Sequence, residues 1–206
     1  MSALAMSFKK SAAELKNINC LAITGMLIAL AIVLRSIAIQ ITPDLRIVFS
    51  FLAIITIAML FGPVVAAPAA LITDFVGFLF DKTGNPYSPF LGLVVFLTGI
   101  IYGLIVYQKE TKKLDHIFFI KAALARILVV LICNICLNSY IIYVSFVNKN
   151  FSFTSDSQLA AFITWFTPRL IKNIVQLPID IVLICAVLPV AYTAYKQIFK
   201  RKAIEA

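Results

Sequence analysis

Residues 165–180 read WFTPRLIKNIVQLPID, and the rest of the chain is best understood outward from them. As a helix, this stretch places Arg169, Lys172, Asn173 and Gln176 at i, i+3, i+4 and i+7. Successive helical residues advance by about 100°, so those four share one face. The residues that follow, LPIDIVLICAVLPVAY, are almost all apolar. Two cations and two amides in line on so oily a helix are costly to expose to lipid. The stripe is therefore expected to face a cavity, a partner or a bound ligand.

Composition supports that setting. Of 206 residues, 62% are hydrophobic and 13% charged, and the mean hydropathy is +1.02. Soluble domains use roughly 45–50% apolar residues. The expected fold is an all-α integral membrane protein, a bundle of about six spans of ~20 residues each. Residues 1–17 form a basic lead, residues 18–195 the membrane domain and residues 196–206 a basic tail. The net charge of +9 resides mainly in three clusters. Lys9, Lys10 and Lys16 precede the first apolar run, Lys109, Lys112, Lys113 and Lys121 surround the middle connection, and Lys196, Lys200, Arg201 and Lys202 close the chain. Clusters so placed mark cytoplasmic segments, with both termini inside, and explain the charge without nucleic acid. The first apolar run is too long for a typical signal-peptide core, so it is expected to stay as a span. Cys133 and Cys136 form a CxxC inside a helix with no second pair, and with Cys20 and Cys185 they read as small hydrophobes.

Taken in order, the first span covers about residues 18–41. Ala22, Gly25 and Ala29 give its inner half a small-residue face, suited to bundle packing or to docking another membrane subunit. Arg35, near the outer end, must snorkel or meet an anion. QITPDLR, residues 40–46, reads as an external loop with turn chemistry at Pro43 and Asp44. A short second span (about 47–60) turns at Gly62-Pro63 into a third (about 64–80). In that third span Asp74, Gly77, Phe78 and Asp81 share a face, and Asp74 is open to two readings. It pairs with Arg35, Arg46 or Arg169, or it contacts a ligand. Loop 81–89 leads to the fourth span (about 90–107), where Gly99 and Gly103 make a close-packing pair. In the long fifth span (about 117–146), Asn134, Asn138 and Ser145 fall within about 40° of one another, whereas Arg126 is displaced by roughly 80° and is set apart from them. The two asparagines serve a site or simply glue helices together. Residues 147–159 form a polar loop long enough for a lid.

Enzyme chemistry finds little footing. The single histidine, His116, lies in the middle connection, and the sequence has no HExxH, GxSxG or P-loop pattern. A binding site is left. Arg35, Arg46, Asp74, the asparagines and the stripe converge on the outer half with Tyr87, Phe90, Tyr140, Trp165 and Phe166. Such a set suits a ligand that is flat at one end and anionic at the other. Arginine grips a carboxylate through a bidentate fork, and a carboxylate or amide matches the amino-pyrimidinone edge of a pterin.

FGPVVAAPAALITDFVGFLF (61–80), NPYSP (85–89) and LNSY (137–140) resemble the vitamin-binding S components of energy-coupling factor (ECF) transporters. LRIVFSF (45–51) and PRLIKNIVQLPI (168–179) are similar to the folate-specific members. The resemblance covers about residues 18–195. It implies six spans in a bacterial plasma membrane, a vitamin bound near the outer face under external loops, and toppling of the subunit to carry it across. No cofactor is implied in the chain itself. The partners implied are the lipid bilayer and an ECF module, a membrane coupling subunit with two ATPases that use ATP and magnesium. Gly25 and Ala29 match the family's docking face. Arg169 and Lys172, with Arg35 or Arg46, are then expected at the glutamate carboxylates of a folate. Asn138, Asn173 and Asp74 are expected at its pterin edge, with Trp165, Tyr87 or Tyr140 stacking. Asp180 departs from the family pattern. Three other readings stay open: an S component for pantothenate, riboflavin or thiamine; a stand-alone carrier coupled to ions through Asp74 and Asp180; and a structural membrane subunit.

Overall fold

A computed structural model describes residues 3–37, 39–42, 45–80, 87–107, 115–148 and 156–205. The basic lead is largely a helix, α1 (Ala3–Glu14), and Ser11 fastens it to the bundle. The Ser11 hydroxyl is fully buried, donates to the Phe61 carbonyl at 2.6 Å and accepts from the Val64 N–H at 2.9 Å. Those two backbone groups flank the turn between α3 (Phe51–Phe61) and α4 (Pro63–Leu79). One side chain thus meets an orphan carbonyl ending one helix and an orphan N–H opening the next. Gly62 between them has φ +82°, and a Cβ there would sit 2.9 Å from the Ser11 Cβ. Sterics and backbone both select glycine.

α2 (Ile18–Ser36) starts at Asn17, whose side chain accepts from the Asn19 N–H at 3.0 Å. The chain then departs from the expected loop. β1 (Ile39–Thr42) and β2 (Leu45–Ile47) pair antiparallel, Ile39 opposite Ile47 and Gln40 opposite Arg46, with an irregularity between Gln40 and Thr42. Alternation around Pro43-Asp44 in a β-branched context favours a hairpin, which also satisfies backbone groups beside an apolar bundle. Pro43, Asp44 and the side chain of Arg46 lie outside the described residues. So do residues 81–86, 108–114 and 149–155, on which the expected connections and lid largely fall.

α3 is shorter than the expected second span. At 11 residues it is about 16 Å long, half the thickness of a bilayer core. Its sequence, FLAIITIAMLF, is apolar all round, and every residue but Leu60 is buried. Such a helix belongs in the middle of a bundle. α4 and α5 (Pro89–Val106) form the closest-packed pair, and the expected glycines make this possible. A Cβ at Gly99 would come within 2.7 Å of the Ala66 carbonyl oxygen, and one at Gly103 would overlap Pro63. Gly25 on α2 differs, since it is exposed with nothing within 4 Å of an added Cβ.

The fifth helical stretch is compound. α6 (His116–Leu128) passes into a π-helical segment, π1 (Val129–Asn138), then α7 (Ser139–Ile142) and a second π segment, π2 (Tyr143–Val147). α8 runs unbroken from Asp156 to Glu205 through three prolines. Among the described residues, four helices are long and apolar enough to cross a membrane: Ile18–Ser36, Pro89–Val106, His116–Val147 and Asp156–Gln197. α3 and α4 are shorter apolar helices. The fold is thus a helical membrane bundle with one small hairpin.

Replacing Gly103 by leucine should force α4 from α5 and cost about 1–3 kcal/mol of stability. Gly25→Leu should change stability by less than about 0.5 kcal/mol. Thermal unfolding in detergent measures both, and equal losses would contradict the packing described.

Candidate functional site

The hairpin end of the bundle encloses a cavity of about 370 Å³, within the range that holds small molecules. α2 contributes Arg35, α3 contributes Phe51 and Ile54, α4 contributes Asp74, and α5 contributes Val94 and Thr98. The fifth stretch adds Arg126, Asn134, Asn138 and Ser139, and α8 adds Arg169, Lys172, Asn173 and Gln176. The four-residue stripe of α8 therefore lines one hollow, because the helix stays regular from Arg169 to Gln176 despite Pro168.

Two ion pairs organise the walls. Near the end of α2, Arg35 donates to Asp74 at 2.8 Å. Gly77, one turn beyond Asp74, lets the arginine lie across α4, since a Cβ there would meet Arg35 Cδ at 2.7 Å. Tyr87, in the connection after α4, packs edge-on against Phe75 and tilted against Phe78. Burial first, and the adjacent Asp74 carboxylate second, raise the Tyr87 phenol above its ordinary pKa.

The second pair lies deeper. Arg126 donates through Nε at 3.1 Å and Nη2 at 2.6 Å to Oδ2 of Asp180. Its Nη1 donates to the Tyr102 hydroxyl at 2.8 Å, and the Phe51 ring stacks 3.9 Å from the guanidinium carbon. Asp180 is 1% exposed and Arg126 4%. The expectation that set Arg126 apart is corrected here. It assumed 100° per residue along the whole fifth span, but π1 closes i→i+5 turns that hold more residues each. The Ser139 hydroxyl donating to the Asn134 carbonyl at 3.1 Å has that same five-residue spacing. Arg126, Asn134, Asn138 and Ser139 all border the same cavity. Ser145, expected with the asparagines, is not among the lining residues.

Arg169 lies over the Trp165 ring, 4.2 Å from its centroid. Trp165 in turn packs on Tyr143, with ring centroids 5.2 Å apart, so an aromatic shelf carries the guanidinium. The Asn173 amide donates to the Arg169 carbonyl at 2.8 Å, which directs its remaining oxygen elsewhere. Of the expected ligand contacts, Arg35, Asp74, Asn138, Arg169, Lys172 and Asn173 border the cavity. Trp165 and Tyr87 sit behind Arg169 and Asp74, and Tyr140 is 43% exposed. Gln176 was visible in the α8 stripe, and its place on the cavity follows from helical spacing alone. Arg126 gave no such signal.

An apolar bundle with an amide- and cation-lined hollow at one end has the build of a membrane-embedded binding subunit. The family model for "ECF transporter, substrate-specific component" matches residues 19–188. The chain belongs to that family. It is 26% identical over 186 residues to "Folate transporter FolT" of Clostridium novyi (strain NT), covering 89% of this chain and 92% of that one. A protein of the same name from Leuconostoc mesenteroides is 29% identical over 159 residues, 76% of this chain and 77% of its own. The solved "Crystal structure of FolT bound with folic acid" superposes with a TM-score of 0.63 at 32% identity, over 81% of this chain and 89% of that one.

Breaking the deep pair should be severe. Asp180→Ala should lose about 3–5 kcal/mol by leaving a buried guanidinium unmatched, whereas Arg126→Met with Asp180→Leu should recover most of that loss. Melting temperatures of the three proteins check this, and a double variant no more stable than Asp180→Ala would contradict it.

Proposed function

We propose that this chain captures folate or a reduced folate on the extracellular side for ATP-driven uptake. The observation that carries the reading is the cavity itself. Its lining holds four basic side chains, one carboxylate and several amides, in a chain similar over most of its length to a protein solved with folic acid. Arg169 and Lys172 hold the glutamate carboxylates through charge-assisted bonds. Asn138, Asn173 and the Arg35–Asp74 pair border the pterin. Trp165, Tyr87 or Tyr140 stacks on the ligand in this reading.

In this reading the subunit spans a bacterial plasma membrane six times with both termini inside, and residues 18–195 form the binding domain. It carries no cofactor and hydrolyses nothing. ATP and magnesium act in the two ATPases of the ECF module, to which a membrane coupling subunit joins it. The exposed face of Ala22, Gly25 and Ala29 is where that coupling subunit docks, since small residues let helices approach closely. The alternative of a stand-alone carrier driven by ions is weakened, because Asp74 and Asp180 are both matched to guanidinium groups.

Calorimetry on purified protein should register folic acid binding, and Arg169→Ala should weaken it by about 2 kcal/mol or more. Tight binding of a different vitamin with no response to folate would refute the substrate. Gly25→Leu should leave folate binding in place and abolish ATP-dependent uptake in vesicles that contain the whole complex. Undiminished uptake would remove α2 as the docking face.

A further inference from the structure

The cavity is lined by Phe51 and Ile54 of α3 and by Asp74 of α4, whereas the other ends of these two helices meet at Phe61, Gly62 and Pro63. Tyrosines gather around that turn. Tyr195 packs edge-on against Phe61, with ring centroids 5.8 Å apart. Tyr107 Cδ2 lies 3.1 Å from where a Gly62 Cβ would stand, and the Lys196 ammonium sits 4.6 Å from the centroid of the Tyr192 ring. Tyrosine and lysine collected at one end of an apolar bundle mark a boundary between membrane and water. α1 lies at that boundary, because Ser11 bonds the Phe61 carbonyl and the Val64 N–H.

The Ser11 contact uses only one side of α1. The helical course persists just past Glu14, where the Lys16 N–H donates to the Ala13 carbonyl at 3.2 Å and the Asn17 N–H to the Glu14 carbonyl at 3.0 Å. Ser11 is fully buried, and Ser7 and Glu14 beside it are half-buried. Phe8 and Leu15, seven positions apart, fall within about 60° of Ser11 around the axis, yet they are 39% and 38% exposed. Lys9 and Lys16 fall about 140–160° from Ser11, and both are exposed. The apolar side chains thus border the bundle side of the helix, and the two ammoniums lie on the side away from it. A helix in the headgroup layer is ordered in this way, its apolar flank toward acyl chains and its cations toward phosphate.

We propose that α1 is an interfacial helix that binds anionic phospholipid headgroups through Lys9 and Lys16, with Phe8 and Leu15 set between headgroups and acyl chains. A protein partner suits this surface less well, since lysine is depleted from protein interfaces and two half-covered apolar side chains make a small patch. A layer of phosphates complements mobile lysine charge without demanding a fixed geometry. Ser11 couples the surface to the fold. Whatever holds α1 down also keeps both orphan backbone groups of the α3–α4 turn capped.

Hydrogen exchange on the full-length protein tests this in nanodiscs of phosphatidylcholine alone or mixed with phosphatidylglycerol. Amides 8–14 should exchange at least about tenfold more slowly in the mixed discs, because each lysine near an anionic surface contributes about fivefold. Sodium chloride at about 1 M should shrink the difference to within about threefold. Lys9→Gln/Lys16→Gln, confirmed as folded by its melting curve, should shrink it equally, whereas Lys9→Arg/Lys16→Arg should keep it. Inorganic phosphate added to the phosphatidylcholine discs should not reproduce the protection. The inference is overturned by equal exchange in the two kinds of disc or by full protection in the glutamine variant. It is overturned equally by protection that inorganic phosphate alone supplies.

Discussion

The contact on which this bundle turns is the one between Arg126 and Asp180. Four separate elements meet there. α6 supplies the guanidinium, α8 the carboxylate, α5 the Tyr102 hydroxyl and α3 the Phe51 ring. Charges buried among apolar helices must be matched closely or they drive the helices apart, so the pair specifies one arrangement of all four. Hydrophobic burial cannot do this alone, because lipid tails are as apolar as the leucines they would replace. Shape complementarity does the rest, above all where glycines bring α4 and α5 together.

The same constraint separates structural polarity from polarity available to a ligand. Arg35 and Asp74 repeat, nearer the hairpin, what Arg126 and Asp180 do in depth, but with side chains 18% and 14% exposed. A partly solvated pair gains less and can rearrange more readily than one sealed from water. The deep pair is therefore the more firmly fixed of the two, and Asp74 and Arg35 of the shallow pair border the same cavity. Between them lies the α8 stripe, whose Arg169 is carried by an aromatic shelf and whose Asn173 and Gln176 are each half committed to protein partners.

The legibility of the sequence followed the regularity of its helices. Arg169, Lys172, Asn173 and Gln176 lie on a regular α-helix, so a constant angle per residue was enough to place them on one face. Gly99 and Gly103 were legible for the same reason, and membership in the S-component family came through on loose motifs such as NPYSP and LNSY. Arg126 was not legible, because the groups that hold it, Asp180 and Tyr102, lie on other helices far away in sequence. Asp180 looked anomalous within its own helix. Its reason lies on another helix, 54 positions away, beyond anything local periodicity reports. The hairpin was missed because a seven-residue segment with Pro-Asp in the middle reads as a loop until its backbone groups are accounted for.

Charge then links stability to occupancy. The lining holds Arg35, Arg126, Arg169 and Lys172 against a single carboxylate, Asp74, with Asp180 just beneath. Even with both carboxylates counted, the cavity is electropositive, and in a bundle that excludes water this excess repels itself more strongly than it would at a surface. An entering dianion reverses that repulsion. Binding to the folded state alone also raises stability by mass action. The polar stripe that looked too costly for a membrane helix is thus a cost borne by the empty state and relieved on binding.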